Sequence, residues 1–305
     1  MKNHTSLPTF ILLGLTDDPP MQVLIFIFLF ASYTLSVTGN LTIIILTLVD
    51  SRLKTAMYFF LKNFSFLETL FTTVCIPRFL YSLSTGDKTI SYNACFSQIF
   101  FIFVFAATEF FLLAIMSYDR YVAICKPLHY ATIMNTRVCG RLVICCWIAG
   151  CLVIFPPASL GLELEFCDSN KIDHFYCDVY HIQKISCSDM WLMEQMAILW
   201  AVLTFIIFMC VVLSYIYSTN TILRFPSCGQ RKKTFSICSS HVIVVSITYA
   251  SCIFIYVKSS SKNEVVINKL ISSISPMLNP FITLRNKQVS QAFLNSIRNT
   301  HLKDI

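Results

Sequence analysis

Long apolar stretches separated by short polar segments dominate this chain. A helix that crosses a membrane needs about 20 mostly apolar residues, and six stretches reach that length. A seventh stretch is shorter and more polar. The pattern predicts spanning helices at 23–49, 57–83, 96–118, 139–161, 195–217, 237–257 and 265–284.

The length of these stretches favours a helical bundle over a membrane barrel. A segment in hydrocarbon must satisfy its own backbone hydrogen bonds, and barrel strands need only about 9 to 11 residues. The longest polar segment, at about 162–194, lies between spans four and five, and the sequence contains no internal repeat or domain-sized hydrophilic region. We therefore expect an all-α membrane protein with a single seven-transmembrane domain over residues 1–305.

The composition agrees with lipid as the main solvent. Of the 305 residues, 56% are hydrophobic and only 13% are charged, which is far more apolar than an average soluble domain. The net charge of +7 suits attraction to the inner leaflet, so we expect membrane lipid and not nucleic acid as a partner. Within the spans the sequence shows no nucleophile with a base and no clustered metal ligands, which argues against an enzyme.

Two independent signals place the N-terminus outside the cell. Asn3 begins the sequence Asn-His-Thr, a glycosylation site that is used only in the lumen or outside the cell. In this orientation the cytoplasmic segments hold most of the 23 Lys and Arg residues, as expected for inner loops. We therefore expect an extracellular N-terminus and a cytoplasmic C-terminus.

Four cysteines are placed by this topology on the oxidising side of the membrane, where disulfides are the default. Two disulfides among them have three possible pairings, and the spacing does not choose between them. A metal site is an alternative, because two histidines lie among these cysteines. The residues concerned are Cys95, Cys167, Cys177 and Cys187, with His174 and His181.

Four motifs occur in a characteristic order along the chain. MSYDRYVAICKPLHY (116–130) ends span three, SY (214–215) lies in span five, KTFSICSSH (233–241) opens span six and PMLNPF (276–281) lies in span seven. Together they make the chain resemble the olfactory receptor family of rhodopsin-like G-protein-coupled receptors.

The resemblance implies an odorant receptor of the plasma membrane. It implies that small, mostly apolar odorant molecules bind between the outer halves of the helices, and that a heterotrimeric stimulatory G protein is activated and raises cyclic AMP. The positions that match the family's ligand pocket are nearly all apolar, so we expect no amine or carboxylate anchor. These positions are Ile102, Phe103, Ala106, Ala107, Leu199, Leu203, Tyr249, Ile253 and Tyr256.

The resemblance also implies a switch at the inner end of the bundle. Asp119 is expected to hold Arg120 at rest, and Tyr215 is expected to meet the arginine once it is freed. An ion pair at partial burial suits a two-state latch, because its strength depends on how much water reaches it. Without the resemblance, a snorkelling anchor would be the simpler reading. The switch residues are Asp119, Arg120, Tyr121, Tyr215, His241, Asn279 and Pro280.

Two intramembrane acids, Glu68 and Glu109, are costly in lipid and match family positions near the middle of the bundle. They would share a proton or hold a sodium ion, and a protonated, hydrogen-bonded pair without an ion is an equal alternative. No other cofactor is expected. The resemblance further implies two disulfides, Cys95–Cys177 and Cys167–Cys187.

Span seven departs from the family pattern. Thr283 follows the run Asn279-Pro280-Phe281-Ile282, where the family has a tyrosine, and the 15 residues from Leu270 to Leu284 reach only about 22 Å in a core of about 30 Å. A degenerate, poorly signalling receptor copy is therefore the first alternative. A transporter or channel is a more remote one, because the sequence shows no repeated halves or paired broken helices.

Overall fold

The computed structural model of the chain describes residues 9–166 and 170–257. Long helices dominate these ranges, and two short helices lie in the loops. In chain order the helices are α1 Pro19–Val49, α2 Ala56–Thr85, α3 Tyr92–Cys125, α4 Tyr130–Ile133, α5 Thr136–Gly161, α6 Val179–Ile185, α7 Trp191–Leu223 and α8 Cys228–Val257.

The six long helices coincide with the first six predicted spans. Each begins before its predicted window, because the apolar stretch marks the lipid-facing length while the helix continues into the polar boundary. Helices α1, α2, α3, α5 and α7 are long and apolar enough to cross a membrane, and α8 carries a shorter apolar stretch, His241–Cys252. The predicted seventh span, 265–284, lies outside the described residues.

Local sequence signals set several helix ends. Asn135 caps α5, because its side-chain oxygen accepts a hydrogen bond from the Val138 backbone N–H at 3.0 Å. Gly86 caps the C-terminus of α2, and its φ of 75° lies in the left-handed region that glycine adopts without strain. Pro77 lies inside α2 and Pro156 inside α5, as expected for membrane helices supported by neighbours.

Helix α3 forms the centre of the described bundle, where it packs against α2, α5 and α7. Its residues Leu112, Leu113 and Val122 are fully buried. The contact with α5 is close at Gly150, where an added Cβ would lie only 2.4 Å from Thr108 Oγ1. Small residues that let two helices approach in this way are common in membrane bundles.

Helix α7 shows that lipid is the solvent of the outer faces. It buries only Ile207, Val211, Ser218 and Ile222, although its apolar side chains extend around the whole helix. Exposed positions include Phe205, at 62%. A helix that is apolar all round yet largely uncovered by protein fits a membrane and not water.

A small β-sheet, which the sequence analysis did not anticipate, lies on the outer side. Strand β1 (Thr9–Leu12) is central, antiparallel to β2 (Thr89–Ser91) and parallel to β3 (Lys171–Ile172). Strands of two to four residues are too short for a period-two pattern to show in the sequence. The sheet joins the segment before α1, the loop between α2 and α3, and the long outer loop.

Candidate functional site

An ion pair lies at the inner end of α3. The Asp119 side chain is 1% exposed, and Arg120 Nε donates to its Oδ2 at 3.1 Å. Arg120 Nη2 contacts the same oxygen. On the other side, Tyr130 of α4 donates its hydroxyl hydrogen to Asp119 Oδ1 at 2.9 Å. Both carboxylate oxygens are therefore engaged, which offsets part of the cost of burying the charge.

Tyr130 is the partner of this ion pair that sequence reasoning missed. It is the last residue of the motif MSYDRYVAICKPLHY, so its position in the motif was the available signal. Burial, and then the negative charge of Asp119, raises the pKa of the Tyr130 hydroxyl. The hydroxyl therefore keeps its proton at neutral pH and acts as the donor.

A second polar contact joins α7 to α8 in the inner half of the bundle. The Tyr215 hydroxyl forms a hydrogen bond with Nδ1 of His241, and the two ring centroids are 5.9 Å apart. Tyr215 was expected to meet the freed arginine. Here Tyr215 is engaged by His241 while Arg120 is engaged by Asp119. The resemblance predicts an arginine held in this way at rest, and the role of these residues as a switch stays a prediction.

Apolar packing closes the inner ends of α3, α7 and α8. Ile124, Ile222 and Cys238, one from each helix, form a buried cluster. Nearby, the ring of the predicted switch residue Tyr121 lies edge-on to Tyr217, at a centroid distance of 6.3 Å. These contacts would have to separate before a partner could enter between the three helices from the inner side.

The two intramembrane acids lie on neighbouring, packed helices. Glu68 of α2 is 2% exposed, and Glu109 of α3 accepts a hydrogen bond from the Thr248 hydroxyl of α8 at 3.2 Å. Within the described ranges no group of three or more His, Cys, Asp and Glu side chains is placed to hold a metal ion. An ion between the two acids would draw on carboxylate and hydroxyl oxygens, which suit sodium, and it stays a prediction.

The predicted ligand positions on α3 face the bundle interior. Ile102 and Ala107 are buried, with 9% and 0% of their surface exposed, while Phe103 and Ala106 are half-buried. Ile102 packs in one cluster with Phe175 of the long outer loop. This side of α3 therefore meets both neighbouring helices and the loop above them.

On α7 the structure corrects one of the two predicted ligand positions. Leu199 is 62% exposed, so it does not form an enclosed pocket wall, and Leu203 is half-buried. The inward face instead begins with Trp200, whose ring lies 6.2 Å from that of Phe110. It continues with Thr204, Ile207 and Val211. An all-apolar helix has no polar face from which its rotation can be read, so the sequence could not show that Leu199 is exposed. The ligand role of Leu203 stays a prediction.

Tyr249 lies where α3, α7 and α8 meet. It is 3% exposed, and its ring lies 5.1 Å from Phe110 and 4.8 Å from Phe208 between centroids. Among the described residues its buried hydroxyl has no hydrogen-bond partner, and neither has Thr204 Oγ1 one turn before Phe208. Buried hydroxyls normally find a partner, so both are available to a ligand.

The outer loop is fastened to α3 by the disulfide Cys95–Cys177, with an S–S distance of 2.06 Å; this is the pairing that the resemblance implied. Gln98 adds to the attachment: its Oε1 accepts from the Cys177 backbone N–H at 3.1 Å, and its Nε2 donates to the Val74 carbonyl at 3.0 Å. The loop is thus held to both α3 and α2.

A metal site in this loop is not supported by the described contacts. Cys177 is used in the disulfide, and His181 Nδ1 lies 3.0 Å from Asp178 Oδ2. Cys187 is also disulfide-bonded, and its predicted partner, Cys167, lies outside the described residues. So do the other predicted positions Asn3, Asn279 and Pro280, and the side chains of Ile253 and Tyr256.

A cleft of about 430 Å³ opens at the outer ends of α2 and α3, beside β2. Val74, Arg78, Ile90, Gln98 and Phe101 are among its lining residues. None of the predicted ligand positions lines it, and it is open to the surroundings. We therefore do not assign the odorant to this cleft.

The helical bundle, the inner ion pair and the disulfide-fastened outer loop together define a rhodopsin-like membrane receptor. The model of the family described as "Olfactory receptor" matches residues 29–299. Olfactory receptor 6C2 of Homo sapiens is 70% identical over 304 residues, which cover 98% of this chain and 97% of the relative. Olfactory receptor 6C68 of Homo sapiens is 66% identical with the same coverage. The chain belongs to the olfactory receptor family.

Membership confirms the broad predictions from the sequence. The protein is an all-α membrane protein built as a seven-transmembrane bundle. The extracellular N-terminus and cytoplasmic C-terminus stay predictions. It is a multi-pass protein of the plasma membrane and a receptor, not an enzyme. Its general function is odorant reception.

Proposed function

We propose that this receptor binds small, mostly apolar molecules that carry one hydrogen-bond acceptor, in the space around Tyr249. The proposal is supported by the buried Tyr249 hydroxyl, which has no hydrogen-bond partner in the part of the chain that the structure describes and lies among the aromatic rings of Phe110 and Phe208. An aliphatic ketone or alcohol fits this combination of an apolar wall and one polar group. Thr204 offers a second hydroxyl on the α7 side.

The expected affinity is low. If such a molecule buries roughly 200 Å² of apolar area at ~25 cal/mol per Å², the gross gain is about 5 kcal/mol. The loss of translational freedom on binding takes part of that gain. A dissociation constant of roughly micromolar to millimolar follows.

We further propose that binding releases the inner switch and activates a stimulatory heterotrimeric G protein, which raises cyclic AMP. Arg120 is held by Asp119 at rest, and the inner ends of α3, α7 and α8 are packed together. A ligand opens this arrangement only if it binds the open state more tightly than the closed one. Tyr249 contacts both α3 and α7, so a ligand bound beside it would affect how these two helices pack.

The test is a cyclic AMP assay in cells that express the full chain with a stimulatory G protein, screened with aliphatic alcohols and ketones. The parent should respond, and Arg120→Ala should abolish the response at equal surface expression. Tyr249→Phe should raise the EC50 about three- to tenfold, as expected for one lost hydrogen bond. Tyr81→Phe, on an exposed tyrosine of α2, is the matched control. An unchanged EC50 for Tyr249→Phe would exclude the proposed site.

A degenerate, poorly signalling copy is the second candidate, and a specific feature of the sequence favours it. Thr283 stands where the family has a tyrosine, and the predicted seventh span is short. We expect that inserting a tyrosine after Ile282, with a few residues restored before Pro276, raises surface expression or the cyclic AMP response. Equal performance of the parent and the restored chain would reject this candidate.

A further inference from the structure

The segment before α1 is built into the outer surface of the receptor as a central strand. Strand β1 pairs with β2 through Thr9, Phe10 and Ile11, and with β3 through Ile11 and Leu12. Asn170 Nδ2 adds a hydrogen bond to the Thr9 carbonyl at 3.0 Å. Because β1 lies between the other two strands, its removal would leave β2 and β3 without a common partner.

Phe10 anchors this strand in an apolar cluster. It is 0% exposed, and its ring lies 5.2 Å from that of Phe166 and 6.3 Å from that of Tyr92 between centroids. The cluster contains both sulfurs of the disulfide, Cys95 and Cys177. Phe10 therefore packs where the long outer loop is attached to α3.

The strand also forms a ladder of hydrogen bonds along the long outer loop. The backbone N–H of Ile11 donates to the Asn170 carbonyl at 2.8 Å, that of Leu13 to Ile172 at 2.9 Å and that of Gly14 to His174 at 3.2 Å. Gly14 has a φ of 80°, a conformation that favours glycine. Every second loop residue from 170 to 174 is thus hydrogen-bonded through its carbonyl to the segment before α1.

The ladder ends next to Phe175, through which the loop joins the cluster of one predicted ligand position. Phe175 follows the last ladder residue, is 2% exposed and packs its ring 4.8 Å from that of Phe79 on α2. The same cluster contains Ile102, a predicted ligand position on α3. A continuous set of contacts therefore runs from Phe10, through the loop, to Ile102.

The surface contacts of the segment before α1 contribute less to holding the outer loop. Lys88 Nζ lies 2.8 Å from Asp17 Oδ1, but the Asp17 side chain is 90% exposed. Exposed ion pairs of this kind contribute little. Burial of Phe10 and the backbone ladder are the contacts able to hold the loop in place.

We propose that Phe10 is a positioning residue for odorant binding. By anchoring β1, it holds loop residues 171–177 over the outer end of the bundle and keeps Phe175 in the cluster that contains Ile102. Replacing it lowers the affinity for odorant without altering the switch at the inner end. The expected effect on odorant affinity rests on the proposed function. The expected effect on the position of the loop does not.

The experiment compares Phe10→Ala, Phe10→Leu and Thr9→Ala in the full chain. Thr9 is exposed in the same strand, so its variant controls for sequence changes that spare the cluster. Hydrogen–deuterium exchange of the purified receptor measures the loop, without ligand. Cyclic AMP responses to aliphatic alcohols and ketones, normalised to surface expression, measure EC50 and maximal response separately.

We expect Phe10→Ala to speed exchange across 171–177 and to raise the EC50 about tenfold, within the usual range for coupled sites. The maximal response should stay unchanged, and Thr9→Ala should match the parent. A general loss of stability would instead speed exchange throughout the helices and lower the maximal response. Either that pattern or unchanged exchange in 171–177 would overturn the proposal.

Two further outcomes are decisive. If Phe10→Ala does not reach the surface, Phe10→Leu, which removes less apolar area, must still show faster loop exchange than Thr9→Ala. Faster exchange with an unchanged EC50 would overturn the link to odorant binding. If the parent itself responds to no odorant, the proposed function fails, while the exchange data still decide whether Phe10 positions the loop.

Discussion

Tyr130 of α4 and Asp119 of α3 are joined by a hydrogen bond of 2.9 Å from the Tyr130 hydroxyl to Oδ1. The other carboxylate oxygen of Asp119 faces Arg120. The short helix after the inner end of α3 therefore helps to hold the ion pair in place. If this pair is the predicted switch, three residues take part in it, and one of them belongs to the inner loop.

Replacing Tyr130 with phenylalanine should raise the basal activity of the receptor. The variant removes the hydrogen bond that the Tyr130 hydroxyl donates to Asp119 Oδ1 and keeps the ring. A hydrogen bond to a charged group contributes about 1.5–3 kcal/mol. If part of this free energy favours the resting state over the active one, its loss should raise basal cyclic AMP about two- to fivefold. Tyr118→Phe, on an exposed tyrosine of α3, is the control, and equal basal levels in both variants would contradict the prediction.

Tyr215 and His241 should act as one unit. Their side chains share a hydrogen bond between α7 and α8, so either single replacement by phenylalanine removes the same contact. We expect the double variant to change basal cyclic AMP about as much as one single variant, with a coupling of about 0.5–3 kcal/mol. Additive effects in the double-mutant cycle would show that the two residues act separately.

Gly150→Ala should destabilise the bundle although alanine is the better helix former. Its Cβ would lie 2.4 Å from Thr108 Oγ1 and 3.2 Å from the Val104 carbonyl, so α3 and α5 must move apart at a cost of about 1–3 kcal/mol. Gly140→Ala in the same helix meets nothing within 4 Å and should be neutral or slightly stabilising. Thermal melting of the purified variants checks this, and equal melting temperatures would contradict it.

Asp178 should make the outer loop sensitive to acid. Burial would raise the pKa of its carboxyl, but the hydrogen bond from His181 and the charges of His174 and His181 outweigh burial and lower the pKa below its ordinary 3.8. A lowered pKa in the folded state adds stability above the unfolded value of about 3.9, and that stability is lost as the pH falls through the folded value.

Asp178→Asn should therefore lower the melting temperature of the purified receptor at pH 7, and the difference from the parent should shrink below about pH 4. The neutral amide carries no charge at any pH, so it cannot replace the carboxylate that lies beside His181. Glu163→Gln in the same loop is the matched control. A difference that stays constant from pH 7 to pH 3 would show that the Asp178 charge does not contribute.

The sequence alone determined the membrane class, the first six spans and the family. Lipid forces each crossing segment to be a long apolar helix, and such a segment is read without knowledge of its neighbours. The inner ion pair was also readable, because Asp119 and Arg120 are adjacent in the chain.

Only the tertiary structure decided the contacts between distant segments. Phe10 packs against Phe166, β1 pairs with two loops, and Tyr130 donates a hydrogen bond to Asp119. Each of these contacts joins elements that no local sequence pattern connects. The sequence also does not show the rotation of α7, which exposes Leu199 and turns Trp200 inward. In an all-apolar helix every face looks alike in the sequence, and packing against α3 selects the face that is buried.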